Sequence, residues 1–168
     1  MGEIKNLNNN EAIKKLKELA EDIDVCMFCT KTENVPFQTR PMSTQEVDDE
    51  GNIWFFSEKD SDKNYEIKQD QHVQLLYSKN SDSHFLSVAG IASIVYDKNK
   101  VEKLWDKITE AWFKGGKDDP NLSLICIKPT EAYYWDTKNG KMISLIKIAV
   151  AAISGSMDDD GIEGKINI

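Results

Sequence analysis

The sequence predicts a mainly β protein: an antiparallel barrel with helices at its periphery. Short apolar segments rich in β-branched and aromatic residues follow one another, with few helical segments between them. That order is typical of an antiparallel barrel, because a parallel sheet alternates strands with crossover helices. The long segment 84–97 adds support, since Gly90 near its middle permits a bend or bulge of the kind that helps a sheet to close.

The length and the net charge limit the classes to which this protein can belong. The chain has 168 residues and a net charge of -8, so we expect one domain, 1–168, and no nucleic-acid or membrane partner. The apolar tract 142–153 is interrupted by Lys147 and is shorter than the roughly 20 residues that span a bilayer. Residues 1–10 lack the apolar centre of a secretory signal. We therefore expect a soluble cytoplasmic protein.

The first element predicted is an amphipathic helix over 9–23. Asn9 or Asn10 can cap its start, and we expect the helix to pack on the sheet through one apolar stripe. The stripe consists of Ile13, Leu16, Leu19, Ala20 and Ile23.

Three strands are predicted next, over 25–32, 36–48 and 52–57. The "DDEG" turn at 48–51 is expected to join the second and third strands as a hairpin, because glycine accepts a positive φ. Pro41 has no amide donor, so the second strand is expected at an edge or with an irregularity.

The second half begins with a short helix over 64–69 and strands over 72–78 and 84–97. One helix is then predicted from Asp97 to the glycines of "FKGGKDDP". Its spacing favours a core position for Trp112 over one beside a flat ligand. Two strands, 121–128 and 131–137, close the barrel, which spans 24–137. The tail 143–168 is expected to be peripheral, and its final stretch 154–168 is expected to be mobile or peripheral. The predicted buried face of the helix is Val101, Leu104, Trp105, Ile108, Ala111 and Trp112.

The "CMFC" segment raises the question of a disulfide or a metal site. In an extended strand Cys26 and Cys29 lie roughly 10 Å apart on alternating faces, whereas a disulfide needs Cα atoms within about 7 Å. His72 and His84 are the chain's two histidines, so few further ligands exist. We interpret the cysteines as small apolar residues and predict no metal site.

A candidate anion site lies at the junction "WFFSEKDSDKNYEI", where a strand runs into a helix start. Ser57, Ser61 and the ammonium groups of Lys59 and Lys63, together with Arg40 from the preceding strand, could form a phosphate cradle. The same residue types also suit an ordinary solvated turn, and both interpretations stay open. The chain contains neither a G-x-G-x-x-G nor a G-x-x-x-x-G-K-[ST] motif.

Four segments carry a resemblance to a known family: "TRPMS", "IWFFSEKDSDKNYEI", "FLSVAGIASIVYD" and the run 104–136 that contains "EAWFKGGKDDP" and "YYWD". In this order they resemble the general stress protein 26-like proteins of the pyridoxamine 5′-phosphate oxidase-related FMN-binding split-barrel superfamily. The resemblance covers roughly 14–136. It implies a six-stranded antiparallel split β-barrel, a homodimer, and FMN bound at the subunit interface.

The resemblance also implies where the flavin lies. Arg40 is expected to reach its phosphate or ribityl side, and the backbone near Met42 and Ser43 its ring edge. Asp62 stands where the oxidases commonly carry arginine, which weakens the charge clamp on the phosphate. Trp112 is expected near the ring system, on either the same or the partner subunit. The full implied set is Arg40, Pro41, Met42, Ser43, Phe56, Ser57, Ser61, Asp62, Lys63, Trp112 and Phe113.

The activity implied is an FMN-dependent oxidoreductase of unknown small substrate, with NAD(P)H or another small molecule as electron donor. Vitamin B6 oxidation is not expected, because the family's true oxidases hold substrate phosphate with an arginine-rich C-terminal segment and 141–168 contains no arginine. The sequence indicates no catalytic acid or base. Two alternatives stay open: a non-catalytic flavin-binding stress carrier or sensor, and a split-barrel module without flavin.

Overall fold

The computed structural model describes residues 3–137 and 161–168, and within these ranges the chain forms four helices and ten strands. The helices are α1 (Asn9–Ile23), α2 (Asp62–Gln69), α3 (Lys98–Leu104) and α4 (Lys107–Trp112). The strands are β1 (Glu3–Ile4), β2 (Leu7–Asn8), β3 (Val25–Thr30), β4 (Gln38–Ser43), β5 (Glu46–Val47), β6 (Ile53–Glu58), β7 (His72–Lys79), β8 (His84–Val95), β9 (Leu122–Thr137) and β10 (Gly161–Asn167).

The strands form one sheet in which the long strands are antiparallel neighbours in the order β4, β3, β7, β8, β9. The far side of β9 has two neighbours, β6 along 122–127 and β10 along 132–137. Within the described ranges β4 and β6 do not pair with each other, so the sheet stays open between them. This arrangement confirms the predicted mainly β, split-barrel architecture.

Gly90 lies at the predicted irregularity. The register between β8 and β9 shifts between Ala89 and Gly90, which face Glu131 and Pro129 respectively. A Cβ atom at Gly90 would lie 2.7 Å from the Ile127 Cγ2 atom and 2.8 Å from a backbone oxygen. The bulge thus brings two backbones together at a position where only glycine fits.

The main core lies between α1 and the concave side of the sheet. Leu16, Leu19 and Ala20 of the predicted stripe are buried, while Ile13 and Ile23 are partly covered. The predicted caps are wrong by one residue. Asn8 is the N-cap and makes no side-chain cap bond; its side-chain oxygen Oδ1 instead accepts a hydrogen bond from the Asn167 side-chain amide at 3.0 Å.

The predicted second strand is two strands. Thr44 and Gln45 separate β4 from β5, because the Thr44 amide donates to Asp24 and the Gln45 amide donates to Trp54. The turn at 48–51 is confirmed, with Gly51 at φ 83°, but it joins β5 rather than β4 to β6. The edge position expected from Pro41 is also confirmed, since β4 pairs with β3 alone among the described strands.

The predicted single helix after Asp97 is wrong, because Asp106 starts a second one. Its carboxylate accepts from the Thr109 amide at 2.7 Å, which caps α4 and breaks the apolar stripe after Trp105. Ile108 and Trp112, expected in the core, are exposed by 71% and 80%. The two closing strands predicted over 121–137 are one continuous strand, β9.

The end of the chain belongs to the sheet. Residues 161–167 of the predicted tail form β10, which pairs with β9 and, in parallel, with β1 and β2. Ile166 is only 3% exposed. The rest of the predicted tail, 143–160, lies outside the described residues.

The three cysteines are free, and Cys26 and Cys29 are buried. Burial raises the pKa of the Cys26 thiol to about 12, so this thiol stays protonated near neutral pH. In the described ranges no helix is both long and apolar enough to cross a membrane.

Candidate functional site

A cavity of about 530 Å³ lies where the sheet is split. Its lining comes from β4 and residues 44–45, from the start of β3, from α4 and the end of α3, and from one residue each of β6 and α2. Eight of the eleven residues in the implied flavin set line this cavity. They are Arg40, Pro41, Met42, Ser43, Phe56, Lys63, Trp112 and Phe113.

One end of the cavity is cationic. The Arg40 guanidinium donates to the Thr30 hydroxyl at 2.6 Å and to the Glu66 carboxylate at 2.8 Å, which ties β4 to β3 and α2. Burial would raise the pKa of the Glu66 carboxyl, but the hydrogen bonds from Thr30 and Arg40 hold it below its ordinary value. Arg40 is therefore balanced by a buried carboxylate.

Lys63 differs from Arg40 in having no carboxylate of the described residues at hydrogen-bonding distance. Within the described part of the chain it makes no ion pair or hydrogen bond. Burial lowers the pKa of the Lys63 ammonium; the Glu58 and Asp62 carboxylates oppose that shift and the nearby Arg40 charge adds to it. A half-buried cation without a partner, at the wall of a cavity, is an electrostatic position that an anion would stabilise.

The hydroxyls at the strand-to-helix junction hold the junction itself. Ser57 is 1% exposed and donates to the Asn64 side chain at 2.8 Å, and Asn64 in turn donates to Ser123 at 3.0 Å. The Ser61 hydroxyl caps α2 and donates to the Glu58 carbonyl at 2.7 Å. Ser57, Ser61 and the exposed Asp62 lie outside the lining, and their predicted phosphate contacts stay a prediction.

Aromatic rings form the inner wall. Phe56 packs edge-on against Trp105 at 5.7 Å between ring centroids and lies 5.8 Å from Phe113. Trp112 lines the cavity while its ring stays largely exposed. The core position favoured by helical spacing is wrong for Trp112, because the break at Asp106 turns α4 away from the stripe.

The other end of the cavity is acidic, and sequence reasoning missed its residues. Asp24 follows α1 with φ 65° and accepts a hydrogen bond from the Ser43 hydroxyl. The Gln45 side chain donates to the Ser43 carbonyl at 3.1 Å and accepts from the Thr109 hydroxyl at 3.4 Å. Asp106 lies nearby, because it caps the helix turn that contains Thr109. The "DKIT" pattern is a helix-start signal that could have revealed Asp106. No sequence signal marks Asp24.

The fold and the cavity together define a class of protein: an antiparallel split barrel with a cavity whose lining includes Arg40, Lys63 and aromatic rings. The chain belongs to the pyridoxamine 5′-phosphate oxidase-like family, whose family model matches residues 11–159.

Two curated relatives share part of this chain. Protein bli-3 of Neurospora crassa is 27% identical over 111 residues, which are 61% of this chain and 53% of that protein. General stress protein 26 of Bacillus subtilis is 32% identical over 82 residues, which are 47% of this chain and 58% of that protein. The chain thus spans little more than half the length of these relatives.

Solved structures match over more of the chain. A candidate general stress protein 26 from Jannaschia sp. CCS1 superposes with a TM-score of 0.79 at 24% identity, covering 92% of this chain and 97% of that chain. At that identity the match shows the fold alone. The general stress FMN/FAD binding protein of Xanthomonas citri superposes with a TM-score of 0.64 at 29% identity, covering 74% and 87% of the two chains.

Proposed function

We propose that this chain binds FMN in the cavity of the split barrel and acts as a flavin-dependent oxidoreductase on a small substrate. The observation that carries the proposal is Lys63, a half-buried cation without a partner among the described residues, in the same cavity as Arg40. Family membership supports it, as does the Xanthomonas citri relative named for FMN/FAD binding.

The residues of the lining fit both the phosphate and the ring system of a flavin mononucleotide. Lys63, in the first turn of α2, and Arg40 offer positive charge to the phosphate. Pro41, Met42 and the rings of Phe56 and Trp112 offer apolar surface to a flat ring system. When bound, the flavin would supply two-electron transfer, while the chain supplies position and electrostatics.

A homodimer is part of the proposal. Val25, Met27 and Leu76 are exposed by 47%, 43% and 43%, and Met27 and Leu76 are directly opposite in the β3–β7 pair. An apolar strand face of this kind is typical of a subunit interface. Val25 also lines the cavity, so a partner seated on this face would border the flavin.

The decisive experiment compares FMN with riboflavin, which lacks the phosphate. Lys63→Gln should weaken FMN about tenfold, about 1.4 kcal/mol, and should change riboflavin affinity by less than about threefold, because only FMN presents an anion. Fluorescence titration measures both constants. Lys59→Gln is the matched control, since Lys59 lies over the Tyr96 ring and lines a different cavity.

Two outcomes would contradict the proposed site. One is a wild-type chain that binds neither flavin, and the other is a Lys63→Gln chain that binds FMN as tightly as the wild type. Dimer formation has its own measurement: light scattering should give twice the chain mass for the wild type and the chain mass for Met27→Glu.

A non-catalytic flavin carrier or sensor is the second candidate. The observation in its favour is that the described lining contains no histidine, tyrosine or cysteine to act as a proton donor. Anaerobic addition of NADH or NADPH separates the two: an oxidoreductase bleaches the flavin absorbance and regains it with an acceptor, whereas a carrier does not bleach.

A further inference from the structure

We infer that Thr30 and Glu66 are positioning residues, which hold the Arg40 guanidinium in place for the phosphate of the flavin. Arg40 then contributes directed hydrogen bonds to the site, and Lys63 contributes its charge. The inference rests on the proposed function, because it assigns the residues that prepare Arg40 for that ligand. Thr30 and Glu66 do not line the cavity, so each acts through Arg40, which does.

The three side chains form a closed ring of hydrogen bonds. The Arg40 Nη1 atom donates to the Thr30 hydroxyl at 2.6 Å, and that hydroxyl donates to the Glu66 Oε2 atom at 2.5 Å. The Arg40 Nη2 atom donates to the same Oε2 atom at 2.8 Å. A guanidinium held through two of its nitrogen atoms cannot rotate without breaking a bond, so the ring fixes the plane of Arg40.

The ring is buried on one side and open on the other. Thr30 is fully buried, the Glu66 side chain is 9% exposed, and the Arg40 side chain is 23% exposed. Water therefore has little access to the acceptors of the ring, which strengthens the hydrogen bonds to them. A guanidinium has five N–H bonds, and the ring uses two of them. The other three have no acceptor among the described residues and are available to a ligand in the cavity.

The charge of Glu66 is the reason to assign it a role. A buried carboxylate beside an anion site weakens the site by repulsion, so its presence there calls for an opposing benefit. The closed ring supplies that benefit, because it gives Arg40 one fixed orientation. Glu66 also offsets the Arg40 charge, which leaves Lys63, three residues before Glu66 in α2, as the uncompensated cation of the lining.

The first test compares two Glu66 variants in fluorescence titrations of the full chain with FMN and with riboflavin. Glu66→Ala opens the ring and should weaken FMN about fivefold to tenfold, while riboflavin affinity changes by less than about threefold. Glu66→Gln keeps an oxygen that accepts both bonds and removes the charge, so FMN affinity should stay within about threefold of the wild type or rise. A role of Glu66 through its charge alone would instead tighten FMN in both variants.

The second test changes the ring at Thr30, where no charge is lost. Thr30→Val removes the hydroxyl at similar volume and should weaken FMN about threefold without weakening riboflavin. Thr30→Ser keeps the hydroxyl and should restore the wild-type affinity. Thr39→Val is the matched control, because the Thr39 hydroxyl contacts the Cys29 thiol at 3.6 Å and lies outside the ring and the cavity lining. It should bind FMN like the wild type.

The third test needs no flavin. Arg40 is the only arginine of the chain, so its guanidinium signals in nitrogen-15 NMR spectra need no further assignment. A guanidinium fixed in the ring gives separate signals for its Nη protons, and one that rotates gives an averaged signal. We expect separate signals in the wild type and Glu66→Gln, and an averaged signal in Glu66→Ala.

Four results would overturn the inference: FMN affinity unchanged in Glu66→Ala and Thr30→Val, FMN tightened by both Glu66 variants, FMN and riboflavin weakened alike, or an averaged Arg40 signal in the wild type. If Glu66→Ala does not fold, the Thr30 variants and the wild-type spectrum decide. A wild-type chain that binds neither flavin refutes the proposed function itself, whereas failure of the inference alone leaves wild-type FMN binding intact.

Discussion

Arg40 and Lys63 line the same cavity, yet the structure predicts that they differ in what they do for the protein. Arg40 ties Thr30 and the buried carboxylate of Glu66 to β4, whereas Lys63 has no partner among the described residues. Arg40→Met should therefore lower the free energy of unfolding, while Lys63→Gln should leave it unchanged or raise it slightly. Lys63→Gln acts instead on FMN affinity.

The magnitude follows from the burial of the pair. Breaking a buried ion pair from one side costs about 3–5 kcal/mol, because the other charge is left without a partner. The Arg40 side chain is 23% exposed and Glu66 only 9%, so water can partly replace the guanidinium, and we expect about 2 kcal/mol. For a domain of this size that corresponds to a melting temperature lower by about 4–8 °C.

Thermal and urea unfolding, followed by circular dichroism, measure this loss. The double variant Arg40→Met/Glu66→Gln should recover about half or more of it, since no buried charge is then left unpaired. A melting temperature of Arg40→Met within about 1 °C of the wild type would refute the reasoning, and so would a double variant less stable than Arg40→Met.

Three further predictions concern the sheet and its pH dependence. Gly90→Ala should cost about 2 kcal/mol or more, because the new Cβ atom would lie 2.7 Å from an Ile127 methyl group. Gly164→Ala should lower the melting temperature by at least about 4 °C, because its Cβ atom would lie 2.0 Å from the Lys5 carbonyl oxygen across the β10 pairing. The folded-state pKa of Glu66 is lowered, so its stabilisation is complete above the ordinary glutamate pKa and is lost as pH falls through the folded value. Glu66→Gln should accordingly flatten the loss of stability in acid, as urea titrations at several pH values would show.

Each of these predictions has a result that contradicts it. If Gly90→Ala has the melting temperature of the wild type, the bulge does not need glycine. If Gly164→Ala has that melting temperature, β10 is not packed against the N-terminal strands. Parallel acid-stability curves for the wild type and Glu66→Gln would show that Glu66 titrates alike in the folded and unfolded chains.

The sequence supported most of the architecture and much of the cavity. The first helix, the strands and the glycine bulge follow from local patterns, because apolar periodicity and backbone freedom are properties of neighbouring residues. The strand-to-helix junction indicated Arg40 and Lys63, and the resemblance added Pro41, Met42, Ser43, Phe56, Trp112 and Phe113; all of these residues line the cavity.

Two elements differ from the prediction for different physical reasons. The apolar stripe through Trp105 and Ile108 predicts one helix, but a side-chain cap at Asp106 competes with it, and Trp112 lines the cavity. The polar composition near the C-terminus predicts a mobile or peripheral end, but β10 pairs with β9 and with a strand at the other end of the chain. The cap is encoded by neighbouring residues and competes with the apolar period, whereas the pairing of β10 depends on contacts between distant residues that no local pattern encodes.

By itself the sequence determined which residues prefer strand, helix or turn, and that the protein would be a small antiparallel sheet around one core. Only the tertiary structure decided which charges stay unpaired. Arg40 and Lys63 are ordinary cations along the chain. Folding places both in the lining of one cavity, but it gives Arg40 the Glu66 carboxylate at 2.8 Å and gives Lys63 no hydrogen-bonded partner among the described residues. Charge compensation acts through space between elements distant in sequence, so the pattern of neighbours cannot reveal it.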